Sequence, residues 1–147
     1  SFQEWYLDLD FNPIINAPIG QLFFYISFLI ADLSLASGRV VLAISSLFII
    51  SFSYFIVNKN YSSLVATSTV LLLATNYTLF AYSRLMVLES LALTFAMGSL
   101  YLIIPKKQQC VPHYKYYLGA LLLSVAVLTK TTMIAMVPVM LWVVINY

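Results

Sequence analysis

Three observations predict an all-α fold, a polytopic bundle of transmembrane helices with an N-terminal interfacial helix. Hydrophobic residues make up 63 % of the 147 residues and charged residues only 8 %, whereas a soluble domain carries about 25 % charged residues. So many apolar residues cannot all be hidden in a core of this size, and the natural solvent of the remaining surface is lipid. The apolar residues also gather in long uncharged runs, of which Val40–Val57 covers 18 residues, enough to span a bilayer as a helix. The composition excludes other classes. A single cysteine, Cys110, allows neither a disulfide framework nor a cysteine zinc site. A net charge of +2 without a basic tract gives no nucleic-acid partner. The chain opens at Ser1 without a methionine and stops at Tyr147 inside an apolar run, which reads as one membrane-embedded domain, 1–147, truncated at both ends.

Residues 1–18 carry Glu4, Asp8 and Asp10 with no base, mixed with Trp5, Tyr6 and Phe11, and read as an acidic outer loop with an aromatic interfacial anchor. Residues 19–33 form an apolar stretch stopped by Asp32, too short to span and suited to an interfacial helix. Transmembrane helices are expected at 40–57, 64–80 and 85–104, with Asn58–Tyr61 as a turn after the first and Pro105-Lys106-Lys107 as the stop of the third. The apolar stretch Tyr116–Tyr147 has 32 residues with Lys130 near its middle. At about 1.5 Å per residue it is too long for one crossing of a core roughly 30 Å thick. A break at Thr129-Lys130-Thr131 divides it into helices 116–129 and 131–147. Lys59, Lys106, Lys107 and Lys115 then fall on one side, which the positive-inside rule makes cytoplasmic, and Arg84, Glu89 and Lys130 fall on the outer side.

Charges within apolar segments are expensive, about 2.5–3.5 kcal/mol each on insertion scales, and so mark candidate sites. Arg84 and Glu89 are five residues apart, about 140° around a helix, so they cannot pair along one face and each needs another partner. Arg84 can snorkel to headgroups and Glu89 can bond a neighbouring helix; Lys130 can be a turn residue in the headgroup layer. The functional reading is an anion site on the outer face, in which Arg84 offers a two-pronged fork and Lys130 a point charge to a lipid-linked phosphate. Asp8 and Asp10 are the candidates for a divalent cation, although their spacing is not that of a ligand set and a solvated acidic face accounts for them equally. His113 reads as a surface residue of the basic loop. The glycosylation sequons at Asn60 and Asn76 are expected to stay unmodified, one being cytoplasmic and the other inside the 64–80 helix. No Gly-rich phosphate loop, HExxH pair or GxSxG elbow occurs.

Four motifs in order resemble one family. Asn16-Ala17-Pro18-Ile19-Gly20-Gln21-Leu22 resembles the His/Lys-Pro-Pro-Leu-Gly-Lys-Leu that ends the first outer loop of the protein O-mannosyltransferase and aminoarabinose transferase group of membrane glycosyltransferases, in the GT-C superfamily. Arg39 after Ser37-Gly38 is similar to that group's Ala-Arg-Leu, and Ala81-Tyr82-Ser83-Arg84 with Glu89 to its Ala-Tyr-Ser-Arg followed by an acid. Leu118-Gly119-Ala120 running to Leu128-Thr129-Lys130-Thr131 resembles its Gly-rich helix ending in Leu-Thr-Lys-Gly. The resemblance implies a piece of a larger GT-C fold. It also implies an enzyme that moves a sugar from a polyprenyl phosphate to a protein, lipid or glycan acceptor on the outer or lumenal face. Arg84, Lys130 and Asn16 would bind substrate, and Glu89 would orient Arg84 or the acceptor. The family's acidic pair, a base or metal ligand, would lie upstream of Ser1. Asn16 stands where Lys or His is usual, Ala17 replaces a Pro, and Glu89 replaces the commoner Asp. The alternative from another class is a secondary transporter or channel subunit whose intramembrane charges line a polar path.

Overall fold

The computed structural model describes residues 18–31, 35–77, 88–106 and 112–146. Among them the fold is all helical: α1 Pro18–Ala31, α2 Leu35–Asn60, α3 Ser63–Ala74, α4 Leu88–Ile103, α5 His113–Thr129, a 3₁₀ turn Thr131–Ala135 and α6 Met136–Asn146. Helix α2, over Ala36–Asn60, is the one described helix long and apolar enough to cross a membrane; the others are shorter apolar helices.

Local chemistry sets the boundaries. Pro18, whose fixed φ and missing N–H suit a first helical position, opens α1. Helix α2 runs on through Asn60, past the turn expected at Asn58–Tyr61, and the reversal is confined to Tyr61–Ser62. Ser62 then caps α3 by accepting from the Val65 N–H. Helix α3 stops at Ala74, within the expected 64–80, of which residues 78–80 lie outside the described residues. The Thr75 hydroxyl bonds back to the carbonyls of Leu71 and Leu72, and the Asn76 N–H turns to the Leu73 carbonyl. Asn76 therefore lies beyond the helix rather than within it. Pro112 opens α5 at His113, three residues before the expected start, and places His113 exposed on its first turn. At the far end Lys130 leaves the helix with φ −153° and ψ 118°. Pro138 follows in the first turn of α6, where its missing N–H is harmless.

Cross-helix contacts fix the directions. Thr94 donates to the Ser45 carbonyl at 3.0 Å and Lys59 to the Ile104 carbonyl at 3.1 Å, so α2 and α4 run parallel. Ser99 donates to the Gly119 carbonyl at 2.6 Å while Lys130 meets Glu89, so α4 and α5 run antiparallel. Met140 touches Ser99, and Val143 joins Ile103 in the core cluster, so α6 turns back parallel to α4. Lys59, Lys106 and Lys115 consequently share one end of the bundle, and Glu89 and Lys130 share the other. Helix α1 meets that second end at both of its own ends: Gly20 stands against Leu88, and Ser27 donates to the Ser37 carbonyl at 2.9 Å. It therefore crosses the bundle rather than running along it.

The interior is built from small residues. Ala92, Ala96 and Ser99 of α4 are fully buried, with Gly98 and Gly119 at the same interfaces, and Ser37, Ser45, Ser46 and Ser53 line the buried stripe of α2 with Leu42 and Ile49. Small side chains let helices approach closely where lipid supplies no hydrophobic drive between them. Bulky residues face outward instead, among them Leu47, Leu64, Leu71, Leu72, Leu121 and Trp142. On α3 only Ala66 is buried, and its outward hydroxyls do not seek water: Thr67, Ser68 and Thr69 bond the carbonyls of Ser63, Leu64 and Val65 at 2.8–3.0 Å. A helix satisfied within itself in this way is suited to hydrocarbon.

Candidate functional site

The candidate site stands at the end of the bundle that α1 crosses. Glu89 occupies the first turn of α4, where the positive end of the helix dipole favours an anion. Lys130 occupies the break between α5 and the 3₁₀ turn, its N–H bonded to the Ala126 carbonyl at 2.9 Å and its carbonyl accepting from the Met133 N–H at 3.0 Å. The break aims the lysine across to α4, where Nζ lies 2.8 Å from Glu89 Oε1. The fold thus joins the start of one helix to the end of the next, and this is the partner on a neighbouring helix that Glu89 required.

The pair is open on one flank and dry on the other. The Lys130 and Glu89 side chains are 35 % and 39 % exposed, so a second anion can reach the lysine. Glu89 Oε2, in contrast, is buried and has no hydrogen-bond partner among the described residues. Beneath the pair Thr129 is fully buried, its hydroxyl bonded to the Val125 carbonyl at 2.8 Å, and Ser90 is buried beside Glu89. Phe23 of α1 packs on Phe95 of α4 with ring centroids 5.6 Å apart, which ties the crossing helix to the one that carries Glu89.

Of the residues singled out from the sequence, Glu89 and Lys130 are brought together; Arg84, Asn16, Asp8 and Asp10 lie outside the described residues. No group of three His, Cys, Asp or Glu that could hold a metal ion occurs among the described residues. Glu89 is their one carboxylate.

Over residues 15–147 the chain matches the dolichyl-phosphate-mannose-protein mannosyltransferase family. The chain belongs to this family. The match takes in all six helices, so the Glu89–Lys130 pair lies within the family's shared region. Membership makes the chain part of a membrane-integral glycosyltransferase of the all-α GT-C kind, which the span-length apolar α2 and the absence of strands among the described residues accompany. Neither a curated protein nor a solved structure matches it.

One further cation has a structural part that its place in the sequence did not show. Lys59, read as a loop residue, lies over the Tyr101 ring with Nζ 3.9 Å from the centroid and donates to the carbonyls of Tyr101 and Ile104. A cation there satisfies carbonyls that the C-terminus of α4 leaves open and complements its dipole.

Proposed function

We propose that this protein transfers a glycosyl group from a polyprenyl-phosphate-linked sugar to a protein, lipid or glycan acceptor, at the outer or lumenal end of a multi-pass helix bundle. The observation that carries the reading is a lysine set on a helix break at one end of the bundle, in a chain whose family is defined by a lipid-phosphate sugar donor. The three described lysines outside the pair gather at the opposite end, and the positive-inside bias supports reading that end as cytoplasmic.

In the reaction the acceptor hydroxyl oxygen bonds to the sugar C1. The bond from C1 to the phosphate oxygen breaks, its electrons leave with the lipid phosphate, and the hydroxyl proton passes to a base. Lys130 and Arg84 bind the phosphate and stabilise the charge that grows on it as the sugar departs, the lysine as a point charge and the arginine as a fork. Asn16, two residues ahead of Pro18 in the sequence, adds a polar contact to the substrate. Glu89, paired with Lys130, orients Arg84 or the acceptor. Reconstituted enzyme supplied with labelled polyprenyl-phosphate mannose tests this: Arg84→Ala should lower kcat/KM by about 100-fold, in line with loss of a charged donor to a leaving group, while expression is retained. Arg84→Lys should also be impaired because the fork is lost. Normal turnover by Arg84→Ala would remove the assignment.

A further inference from the structure

The Glu89–Lys130 pair has features that a purely structural ion pair does not need. It ties only one carboxylate oxygen, at 2.8 Å, and leaves the other buried without a partner among the described residues. Leaving a buried acceptor unpaired is unfavourable, so this carboxylate is a less than ideal seat for the ammonium. The pair is also accessible, with more than a third of each side chain exposed. Lys130 offers three donors, and a phosphate presents more acceptor oxygens and, as a monoester, more negative charge than a carboxylate.

We propose that Glu89 is a built-in competitor for Lys130: its carboxylate exchanges with the lipid phosphate in each turnover and returns to Lys130 as the product phosphate leaves. This rests on the reading of Lys130 as a phosphate ligand. Its consequence is product release. The spent carrier, a phosphate monoester, carries more charge than the donor diester and would otherwise hold the cation more tightly than the substrate does. A carboxylate that reclaims the lysine shortens that stay.

The test is binding of labelled polyprenyl phosphate, without sugar, to the intact enzyme in detergent, together with its inhibition of transfer. Glu89→Gln keeps the side-chain size and removes the competing charge, and should tighten polyprenyl phosphate binding by about two- to five-fold, the span an accessible ion pair allows. Glu89→Asp, which keeps the charge but pulls it back by one methylene, should tighten it as well and serves where the Gln variant is not recovered. In a Lys130→Met background Glu89→Gln should have no effect. If Lys130→Met leaves the affinity unchanged, the phosphate role of Lys130 is wrong and the competition falls with it. If Lys130→Met weakens binding but both Glu89 variants leave it unchanged or weaken it, the phosphate role stands and the competition is refuted.

Discussion

The contact of α4 with α5 makes a quantitative test possible at two glycines. A Cβ placed on Gly119 would meet Ile103 Cγ1 at 2.6 Å and Cδ1 at 2.8 Å, with the Ser99 carbonyl at 3.5 Å. Ile103 cannot easily yield, because it is buried at 5 % exposure against Met140 and Val143 and is branched at Cβ. Overpacking of this kind costs about 1–3 kcal/mol, and the better helix propensity of alanine returns about 0.5–1 kcal/mol. Gly119→Ala should therefore destabilise by about 1 kcal/mol net, roughly 2–4 °C in melting midpoint for a chain of this size. Gly98 is the internal control, since its added Cβ would sit at 3.5 Å from Leu122 and Phe52, ordinary contact distances. Gly98→Ala should be neutral or stabilising by up to about 1 kcal/mol. The assay is melting by circular dichroism in detergent, with Ile103→Ala combined with Gly119→Ala as a double-mutant cycle. The double variant should lose less than the sum of its parts, because removing the Ile103 branch makes room for the new methyl. A Gly119→Ala protein that melts with the parent, or a Gly98→Ala protein less stable than Gly119→Ala, would refute the packing argument.

Other outcomes follow from the same contacts. Lys59→Met should lower stability by about 1–3 kcal/mol in the same melting assay, since it strips the Tyr101 and Ile104 carbonyls at the end of α4 of their charged donor and Tyr101 of its cation; unchanged melting would count against a structural role for Lys59. Ser99→Ala removes the buried 2.6 Å hydrogen bond to Gly119 and should cost about 0.5–1.5 kcal/mol in the same melting assay. Thr67→Val on α3, whose hydroxyl is satisfied by the Ser63 carbonyl within its own helix, should shift the midpoint by less than about 0.5 kcal/mol; a large effect would show that the outward face of α3 makes a contact beyond its own helix.

The class of fold was legible because it depends on quantities a sequence states outright, the scarcity of charge and the length of apolar runs. Helix ends were less legible. The run-on of α2 through Asn60 accompanies Lys59 reaching two carbonyls some forty residues later, and the early end of α3 shows in the Asn76 N–H turning to the Leu73 carbonyl. Neither is encoded in local hydropathy. Of the site, the need for a cross-helix partner followed from the 140° between Arg84 and Glu89, but the partner's identity required knowing that α4 and α5 are antiparallel. A charge at the start of one apolar run and another at the end of the next was the clue. The buried, unpaired Oε2 of Glu89 could not be read from sequence at all, since it arises from packing around a half-exposed side chain.

Whether Lys130, at the end of the bundle it shares with Glu89, serves a covalent transfer is decided by measuring transfer and solute flux in the same proteoliposomes. With labelled polyprenyl-phosphate mannose and an acceptor peptide, the expected result is a labelled glycosylated product, no solute flux, and a loss of about 10- to 100-fold in kcat/KM on Lys130→Met. Solute flux through the vesicles with no covalent product, or full transfer by the Lys130→Met enzyme, would contradict it.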